Sequence, residues 1–229
     1  MRSVIDGDPL VYSTAHALQV DYGTFLQVEP LHSLQYVLNV RLRELTQVMQ
    51  AETYKIYLTD SSKCFRRELY PEYKANRAMV PRPILYHWAR DHMVREWGAE
   101  IVTGIEADDA VAKAHMEVYN ASPFGSVICS IDKDLNQLPG YHYLAKTQET
   151  VFITPEQARR NFWIQVLMGD RVDNVKGVAG IGPKKAVKAL EGITEEKDYY
   201  QKCLDFYGDA AILDLNIRLL SLRTEEDEI

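Results

Sequence analysis

Short apolar runs alternate along the chain with longer segments in which apolar residues recur at helical spacing. The apolar runs predict strands at 2–5, 54–58, 100–102, 126–131 and 150–153. Helical spacing predicts helices at 34–49, 83–97 and 107–120, and a further helix that begins at Pro155. Strands that alternate with helices are typical of a parallel sheet with crossover connections. The predicted fold class is therefore α/β, with a mainly parallel sheet flanked by helices.

Acidic residues follow the predicted strands at four separate places. They are Asp6, Asp60, Glu106 with Asp108 and Asp109, and Asp132 with Asp134. Each group has an ordinary explanation, because aspartate favours turns and acids in a first helical turn complement the helix dipole. For Glu106 alone, a capping box that begins at Thr103 is the better interpretation. However, the carboxyl ends of parallel strands share one edge of a sheet, so the four groups are expected to meet there.

Carboxylates that meet at one edge repel one another. Two unit charges 4 Å apart repel by roughly 4 kcal/mol at an effective dielectric constant of 20. A fold that gathers six or more carboxylates must protonate some of them or hold cations between them. Two more acids, Asp170 and Asp173, stand three residues apart and face one point if the backbone there is helical. Because hard oxygen ligands select hard cations, the pattern predicts a site for Mg²⁺ or Mn²⁺.

A glycine-rich stretch follows these two acids. It has the spacing of the start of a P-loop, but Pro183 stands where that loop needs a lysine, so a nucleotide-triphosphate loop is excluded. The better interpretation is a helix–hairpin–helix, in which Gly180 and Gly182 form a turn whose amides bind a nucleic-acid phosphate. Lys184 and Lys185 would add positive charge beside that turn. The alternative is a glycine-rich loop before a surface helix.

The distribution of charge changes what the overall charge suggests. The formal net charge is −7, which argues against a polyanionic partner. Between residues 61 and 95, however, eight Lys or Arg stand against three Asp or Glu, so this segment predicts a basic surface. The chain has no apolar run of membrane-spanning length and no signal-peptide pattern, which predicts a cytoplasmic protein. Its three widely spaced cysteines favour reduced thiols, and its scattered histidines, which lack ligand spacing, argue against zinc chemistry.

Seven short segments follow one another in a recognisable order. They are 6–8, Asp60, 73–77, 106–109, 132–135, 169–174 and 182–186. In this order they resemble the flap endonuclease / 5′-to-3′ exonuclease family, which includes phage 5′-nucleases and the 5′-nuclease domain of bacterial replication-repair polymerases. The length of the chain is most similar to that of a free-standing phage enzyme.

The resemblance implies a fold and a division of the chain. The fold is a PIN-like α/β core followed by a helix–three-turn–helix element that binds DNA. The core would span 1–153 and carry a basic arch or gateway at about 61–97. A helical C-terminal region would span 154–229, with the helix–hairpin–helix element at about 167–190. The interval between Asp60 and Glu106 is short for the family, so the arch is expected to be a simple helix or incomplete.

The resemblance also implies two metal ions and a set of ligands. Asp6, Asp60, Glu106 and Asp108 would surround the first ion, and Asp132, Asp134, Asp170 and Asp173 would serve the second. Asp108 would be shared, and Asp109 would act through water. The expected ions are Mg²⁺, with Mn²⁺ as a substitute, because two ions about 4 Å apart activate a water and stabilise the leaving oxygen.

Two basic residues and one aromatic residue match the family's catalytic segment. Lys74 and Arg77 would stabilise charge that develops on the phosphate, although a Lys/Arg pair is ordinarily a solvated helix face. Tyr73 would stack on a terminal base, whereas without the resemblance it would be interpreted as a half-buried packing residue. The further residues predicted to bind DNA are Arg66, Arg67, Lys176, Gly180, Gly182, Lys184 and Lys185. In relatives the hairpin often holds K⁺ through backbone carbonyls, which here would belong to Val175, Val178 and Ile181.

The resemblance implies a metal-dependent 5′-nuclease that acts in DNA replication or repair. The protein would be a monomer in the cytoplasm. If a phage encodes it, this would be the cytoplasm of the host cell. Its substrate would be DNA with a 5′ flap, a 5′ overhang or a free 5′ end, and an RNA–DNA hybrid is a further candidate. Two alternatives stay open. One is a PIN-type ribonuclease, which shares the acidic core. The other is a non-catalytic module that binds branched DNA, which is disfavoured because all eight expected acids are present.

Overall fold

A computed structural model describes residues 1–77 and 80–224 of the chain. Ala78 and Met79, within the predicted arch, lie outside the described residues, as do residues 225–229 at the end of the predicted C-terminal region. The strands are β1 (Arg2–Asp6), β2 (Gln19–Asp21), β3 (Leu26–Val28), β4 (Thr53–Cys64), β5 (Glu100–Gly104), β6 (Ser126–Cys129), β7 (Gly140–Leu144), β8 (Glu149–Ile153), β9 (Gly169–Asp170) and β10 (Val175–Lys176). The helices are α1 (Gly7–Ala17), α2 (Leu31–Thr46), α3 (Phe65–Leu69), α4 (Tyr86–Trp97), α5 (Ala107–Ala121), α6 (Pro155–Met168), α7 (Pro183–Ala189), α8 (Glu196–Tyr207) and α9 (Ala210–Leu220).

The central sheet has six strands in the order β5-β4-β1-β6-β7-β8. Five of them run parallel, and β8 pairs antiparallel with β7 at one edge. The first strand lies in the middle, where Ile5 pairs with Ile56 on one side and with Cys129 on the other. The predicted α/β fold with a mainly parallel sheet is therefore confirmed.

Two strand predictions need correction. The first correction concerns the strand predicted at 54–58, which would place Asp60 just after its end. In the structure β4 continues to Cys64, and its pairing with β5 shifts after Thr59. Asp60 thus lies within an irregular part of the strand. The second concerns β7, which was not predicted because its sequence, Gly-Tyr-His-Tyr-Leu, is not a continuous apolar run. It is nevertheless half of the hairpin that closes the sheet.

Apolar side chains form three buried clusters around the sheet. The helices α1, α2 and α4 cover one face, on which Leu34, Leu38 and Met93 are fully buried. The helix α5 packs on the other face. The third cluster joins α6 to α9 and includes Tyr73, which precedes the predicted boundary at 153. The division into two regions at that boundary stays a prediction.

The segment between α6 and α7 turns tightly because two glycines approach each other. A Cβ on Gly177 would lie 2.1 Å from the carbonyl carbon of Met168, and one on Gly169 would lie 2.2 Å from the nitrogen of Gly177. Gly169 also has a φ of 66°, which favours glycine. Two helices joined by a glycine turn are thus present at 155–189, with α7 starting at Pro183 as expected. The DNA-binding role of this element stays a prediction.

Across residues 1–77 and 80–224, no helix is both long enough and apolar enough to cross a membrane.

Candidate active site

The carboxyl ends of β1 and β6 bring three acids together. Asp6, the last residue of β1, caps α1 and is 6% exposed, and its Oδ2 accepts a hydrogen bond of 3.1 Å from Ser130. Asp132 follows β6 and accepts from the backbone amide of Asp134 at 3.0 Å. The same serine accepts from the amide of Asp132 at 3.0 Å, so Ser130 links the two strand ends. We call Asp6, Asp132 and Asp134 the crowded carboxylates.

The crowded carboxylates lack partners of opposite charge. No described Lys or Arg forms an ion pair with any of the three, and the buried Oδ1 of Asp134 has no hydrogen-bond partner within the described chain. Burial, together with the charges of Asp8 and Asp132, raises the pKa of Asp6 to about 8. Burial and the charges of Asp132 and Asp170 raise the pKa of Asp134 to about 7. Asp6 and Asp134 therefore lie in an environment that disfavours their negative charge.

A second set of acids lies beside them and is neutralised by the chain itself. We call Glu106, Asp109 and Asp173 the paired carboxylates. Lys74 forms an ion pair with Glu106 and lies 3.5 Å from Asp173, which Arg77 also contacts. Burial would raise the pKa of Glu106, but the charges of Lys74 and Arg66 outweigh it and hold that pKa below its ordinary value. This half of the edge is electrically balanced without any added ion.

Arg66 is the centre of that balance, and the prediction that it binds DNA is wrong in this structure. The side chain is 2% exposed. Its guanidinium donates to both oxygens of Asp109 at 2.6 and 2.7 Å and to Glu106 at 3.1 Å. It also donates to the carbonyl of Leu219 in the last turn of α9 and to that of Ser221 just after the helix. Its donors are used inside the protein, so Arg66 ties the acidic turn to the C-terminal helix.

The prediction that Tyr73 stacks on a base is also corrected. The residue is 3% exposed and lies in the C-terminal core. Its hydroxyl is 2.8 Å from an oxygen of Glu106 and 2.8 Å from an oxygen of Asp173, so it donates its single proton to one of these two paired carboxylates. The ring has no surface on which a base could stack. The alternative interpretation, a packing residue, describes it better.

Asp108, Asp109, Asp170 and Asp60 occupy different environments. Burial and the charges of Asp109 and Glu106 raise the pKa of Asp108 well above its ordinary value. Asp109 is fully buried and bonded to Arg66, so its carboxylate is engaged by the protein. Asp170 is buried with an oxygen 3.0 Å from Lys133. Asp60 stands apart, and a hydrogen bond from the amide of Ser62 lowers its pKa.

The acids other than Asp60 therefore share one edge of the sheet, but they are not arranged as complete ligand spheres. Within the described residues, no three His, Cys, Asp or Glu side chains form a ready metal site. The cations Lys74, Arg77 and Lys133 hold Glu106, Asp173 and Asp170 instead. The crowded carboxylates nevertheless fit a divalent cation, because they combine the unpartnered buried oxygen of Asp134 with the raised pKa values of Asp6 and Asp134.

Several residues that the sequence did not single out position this site. Asn76 donates to the carbonyls of Arg171 and Val172, and Asn174 donates to the carbonyl of Glu72 at 2.8 Å. These bonds join the segment at 72–77 to the turn at 170–174. Lys74 adopts a φ of 56° there, which residues other than glycine seldom do, while its amide donates to the carbonyl of Asp173. Neither asparagine belongs to a periodic pattern, so only the matched segments could have pointed to them.

The predicted hairpin residues line a cavity of about 630 Å³ between α6 and α7, with Val175 buried, Val178 and Ile181 partly exposed and the others exposed. Its lining includes Lys176, Gly180 and Gly182, which were predicted to bind DNA, and Val175, Val178 and Ile181, which were predicted to hold K⁺. Lys184 is exposed, and Lys185 donates to the carbonyl of Gly180 at 2.9 Å. Arg67 is exposed and donates to the carbonyl of Ser61. The roles of all these residues stay predictions.

Comparisons with known proteins give one consistent family. The model of the family described as 5′-3′ exonuclease, N-terminal resolvase-like domain, matches residues 2–162. DNA polymerase I of Pseudomonas aeruginosa is 30% identical over 203 residues, which cover 83% of this chain and 22% of the polymerase. A 5′-3′ exonuclease of Aquifex aeolicus is 29% identical over 208 residues, which cover 81% of this chain and 71% of that protein. The chain spans between 14 and 25% of the length of the DNA polymerase I relatives.

Solved structures show the same fold. The bacteriophage T5 5′-exonuclease with bound zinc matches with a TM-score of 0.74 and 19% identity, over 98% of this chain and 90% of that one. A phage T5 flap endonuclease in complex with DNA and metal ions matches with a TM-score of 0.73 and 18% identity, over 97% of this chain and 89% of that one. At this level of identity, the likeness establishes the fold.

Proposed function

The chain belongs to the 5′-3′ exonuclease family, and on that premise we propose that it is a divalent-metal-dependent, structure-specific 5′-nuclease that hydrolyses DNA phosphodiester bonds. The observation that carries the proposal is the pairing of two features at one sheet edge. Crowded carboxylates without cations lie directly beside acids that hold Lys74 and Arg77. The first feature suits divalent cations, and the second supplies positive charge for a phosphate.

The metal ligands in this proposal come from both sets of acids. Asp6, Asp60, Glu106 and Asp108 would hold one ion, and Asp132, Asp134, Asp170 and Asp173 would hold the other. Bound ions would polarise the attacking water and neutralise the leaving oxygen. The unpartnered oxygen of Asp134 supports this assignment. Mg²⁺ is the proposed ion because it prefers carboxylate oxygens and retains waters, and Mn²⁺ is the proposed substitute.

Lys74 would act by its charge and not as a base. Burial would lower its pKa, but the charges of Glu106 and Asp173 outweigh burial and raise it. The ammonium therefore stays protonated at neutral pH. When a phosphate enters, Lys74 and Arg77 would donate to its oxygens as negative charge grows there, while the ions replace them as partners of the two acids.

Asp109 and Arg66 would keep Glu106 in place during this exchange. The Asp109 carboxylate accepts two bonds from Arg66 and a further bond, at 3.1 Å, from the backbone amide of Glu106. This arrangement fixes the turn at the start of α5. Asp109 would therefore support the ligands without contacting an ion directly.

The DNA would be held beside this edge. The glycine turn with Gly180, Gly182, Lys184 and Lys185 would bind the phosphates of the duplex, and Lys176 and Arg67 would be further cations for DNA. Val175, Val178 and Ile181 would supply carbonyls for K⁺ in the same turn. The proposed substrates are DNA with a 5′ flap, a 5′ overhang or a free 5′ end, and an RNA–DNA hybrid. The protein would act as a monomer in DNA replication or repair in the cytoplasm.

The proposal is tested with a 5′-labelled flap duplex and purified protein in Mg²⁺, with and without EDTA. We expect cleavage near the junction, and this cleavage should require the metal. Mapping the products would distinguish endonuclease from exonuclease action. DNA binding with no cleavage in Mg²⁺ or Mn²⁺ would instead support a non-catalytic binding module. A matched RNA flap provides the second comparison. Faster cleavage of RNA than of DNA would favour a PIN-type ribonuclease.

A further inference from the structure

A cavity of about 650 Å³ opens beside the crowded carboxylates. It lies between α1, α2 and the carboxyl ends of β6 and β7, and it shares Asp6 and Asp132 with the candidate active site. Pockets that bind small organic groups have about this volume. The cavity is therefore large enough for part of a substrate and continuous with the place where the metal ions would act.

The walls of the cavity are mostly apolar. Leu10 from α1, Leu45 from α2 and Leu144 from β7 contribute side chains, and the sheet contributes Ile128. Such walls suit the flat face of a base or a sugar ring, which lose little by leaving water. They do not suit a metal ion or a free inorganic anion. The lining thus favours an organic group at this position.

One cation in the wall is held in place without a carboxylate. Arg41 of α2 donates through Nη1 to the hydroxyls of Ser13 at 3.1 Å and Thr14 at 2.9 Å. Among the residues that the structure describes, no carboxylate pairs with Arg41, and its Nε and Nη2 have no acceptor. The guanidinium is partly buried and oriented by neutral groups. It therefore keeps its charge and two donor positions for an anion.

Two of the other charged side chains around the cavity are already engaged. Lys133 is paired with Asp170 at 3.0 Å. Glu44, which is exposed, accepts a hydrogen bond from Tyr143. Lys146, in the turn between β7 and β8, is exposed at the mouth. The cavity thus combines apolar walls, a guanidinium that is free to bind an anion and an exposed lysine, next to acids that suit metal ions.

We propose that this cavity is a nucleotide subsite for the DNA strand next to the bond that is cut. In it, Arg41 binds a backbone phosphate, and Leu10, Leu45 and Leu144 contact the base or sugar of the same nucleotide. This subsite rests on the proposed nuclease function and adds to it the recognition of one nucleotide of the DNA strand. Because the phosphate contact is the same before and during the reaction, Arg41 contributes to substrate binding and leaves the chemical step unchanged.

The test compares Arg41→Met with Arg43→Met. Arg43 lies two residues away on the same helix and is exposed, so its replacement makes the same change of charge outside the cavity. DNA binding is measured in EDTA as a function of salt, and KM and kcat are measured in Mg²⁺. For Arg41→Met we expect about tenfold weaker binding at 0.1 M salt and a salt slope smaller by about one unit. KM rises accordingly while kcat is unchanged, and Arg43→Met behaves like the wild-type protein.

A second measurement locates the contact. Single phosphates around the cut site are replaced one at a time by neutral methylphosphonates. One position should weaken the binding of the wild-type protein and have no further effect on Arg41→Met, because that variant has already lost the contact. Thermal unfolding of both variants reports whether they fold. Leu144→Trp, which fills the cavity and leaves every charge in place, should also raise KM.

The outcomes are distinct. If the wild-type protein cleaves DNA and Arg41→Met keeps the KM and the salt slope of Arg43→Met, the subsite is overturned and the nuclease function stands. A wild-type protein that fails to cleave would refute the proposed function, while the binding titration in EDTA would still decide whether Arg41 contacts DNA. Additive losses from Arg41→Met and every methylphosphonate would also overturn the subsite.

Discussion

The paired and the crowded carboxylates at the acidic edge differ in the source of the positive charge that neutralises them. Glu106, Asp109 and Asp173 are held by Arg66, Lys74 and Arg77, all from one stretch of the chain. Asp6, Asp132 and Asp134 have no such partners within the described residues, and burial raises the pKa of two of them. The paired carboxylates are thus balanced within the protein, whereas the crowded carboxylates are balanced only by protons or by cations from solution.

Carboxylates at one edge of a sheet can therefore have opposite effects on stability. A buried ion pair that loses one partner leaves an uncompensated charge, so a paired carboxylate depends on its cation for stability. A crowded carboxylate repels its neighbours, so its neutralisation should stabilise the metal-free protein. Substitutions in the two halves should therefore change the stability of the metal-free protein in opposite directions, and added metal should change the stability of the crowded half more than that of the paired half.

The largest expected effect is the loss of Arg66. Arg66→Met should lower the free energy of unfolding by about 3–5 kcal/mol, because it leaves Asp109 and Glu106 buried without their partner. Urea denaturation measures the change. Arg67→Met is the matched control, since Arg67 is adjacent and exposed, and its effect should stay within about 0.5 kcal/mol. Equal effects of the two substitutions would show that the paired half does not rely on this arginine.

The next effect concerns activity in the crowded half. Asp132→Ala should reduce the rate of cleavage by about 10³-fold, because it removes a ligand from the place where charge must be neutralised. DNA affinity in EDTA should stay within a few-fold of the wild-type value. A joint loss of affinity and activity would contradict the separation between metal binding and DNA binding that the two halves imply.

The sequence predicted the crowded half better than the paired half. Asp6 ends β1 and Asp132 stands three residues after β6, and the carboxyl end of a buried parallel strand places such residues at one edge of the sheet. Arg66 and Tyr73 were misassigned to a DNA surface. Their partners lie far away in the chain, as in the bond from Arg66 to the carbonyl of Leu219, and no local pattern reports such a contact.

The cavity beside the edge shows the same limit. Arg41 belongs to a helix that the spacing of Leu34, Leu38 and Leu42 predicted correctly. Its position between those leucines predicts that Arg41 lies on the polar face of α2. Only the packing of α1 against α2 shows that Ser13 orients it toward a cavity. Local spacing thus predicts the element, whereas the function of a side chain on it depends on what the fold places opposite.

A smaller effect is expected when Lys74 is replaced, which probes how the paired half contributes to catalysis. Lys74→Met should lower the single-turnover rate by about 10²-fold while binding weakens only a few-fold, because its charge acts mainly on the phosphate in the transition state. Lys63→Met is a control from the same basic segment, since Lys63 is exposed. A normal single-turnover rate with weakened binding would assign Lys74 to substrate affinity instead.

The smallest expected effect is a change of stability with pH in the metal-free protein. Unfolded aspartate releases its proton near pH 3.8, whereas Asp134 and Asp6 hold theirs to about pH 7 and 8 in the folded chain. The folded state therefore binds more protons between these values, so stability in EDTA should fall as pH rises from about 4 to 8. Asp134→Asn should reduce that fall and raise the melting temperature at pH 8.

Mg²⁺ should stabilise the wild-type protein more at pH 8 than at pH 5, because cations replace the bound protons. If Asp134→Asn lowers the melting temperature in EDTA at pH 8, the crowded carboxylates are not under mutual repulsion, and the contrast between the two halves fails.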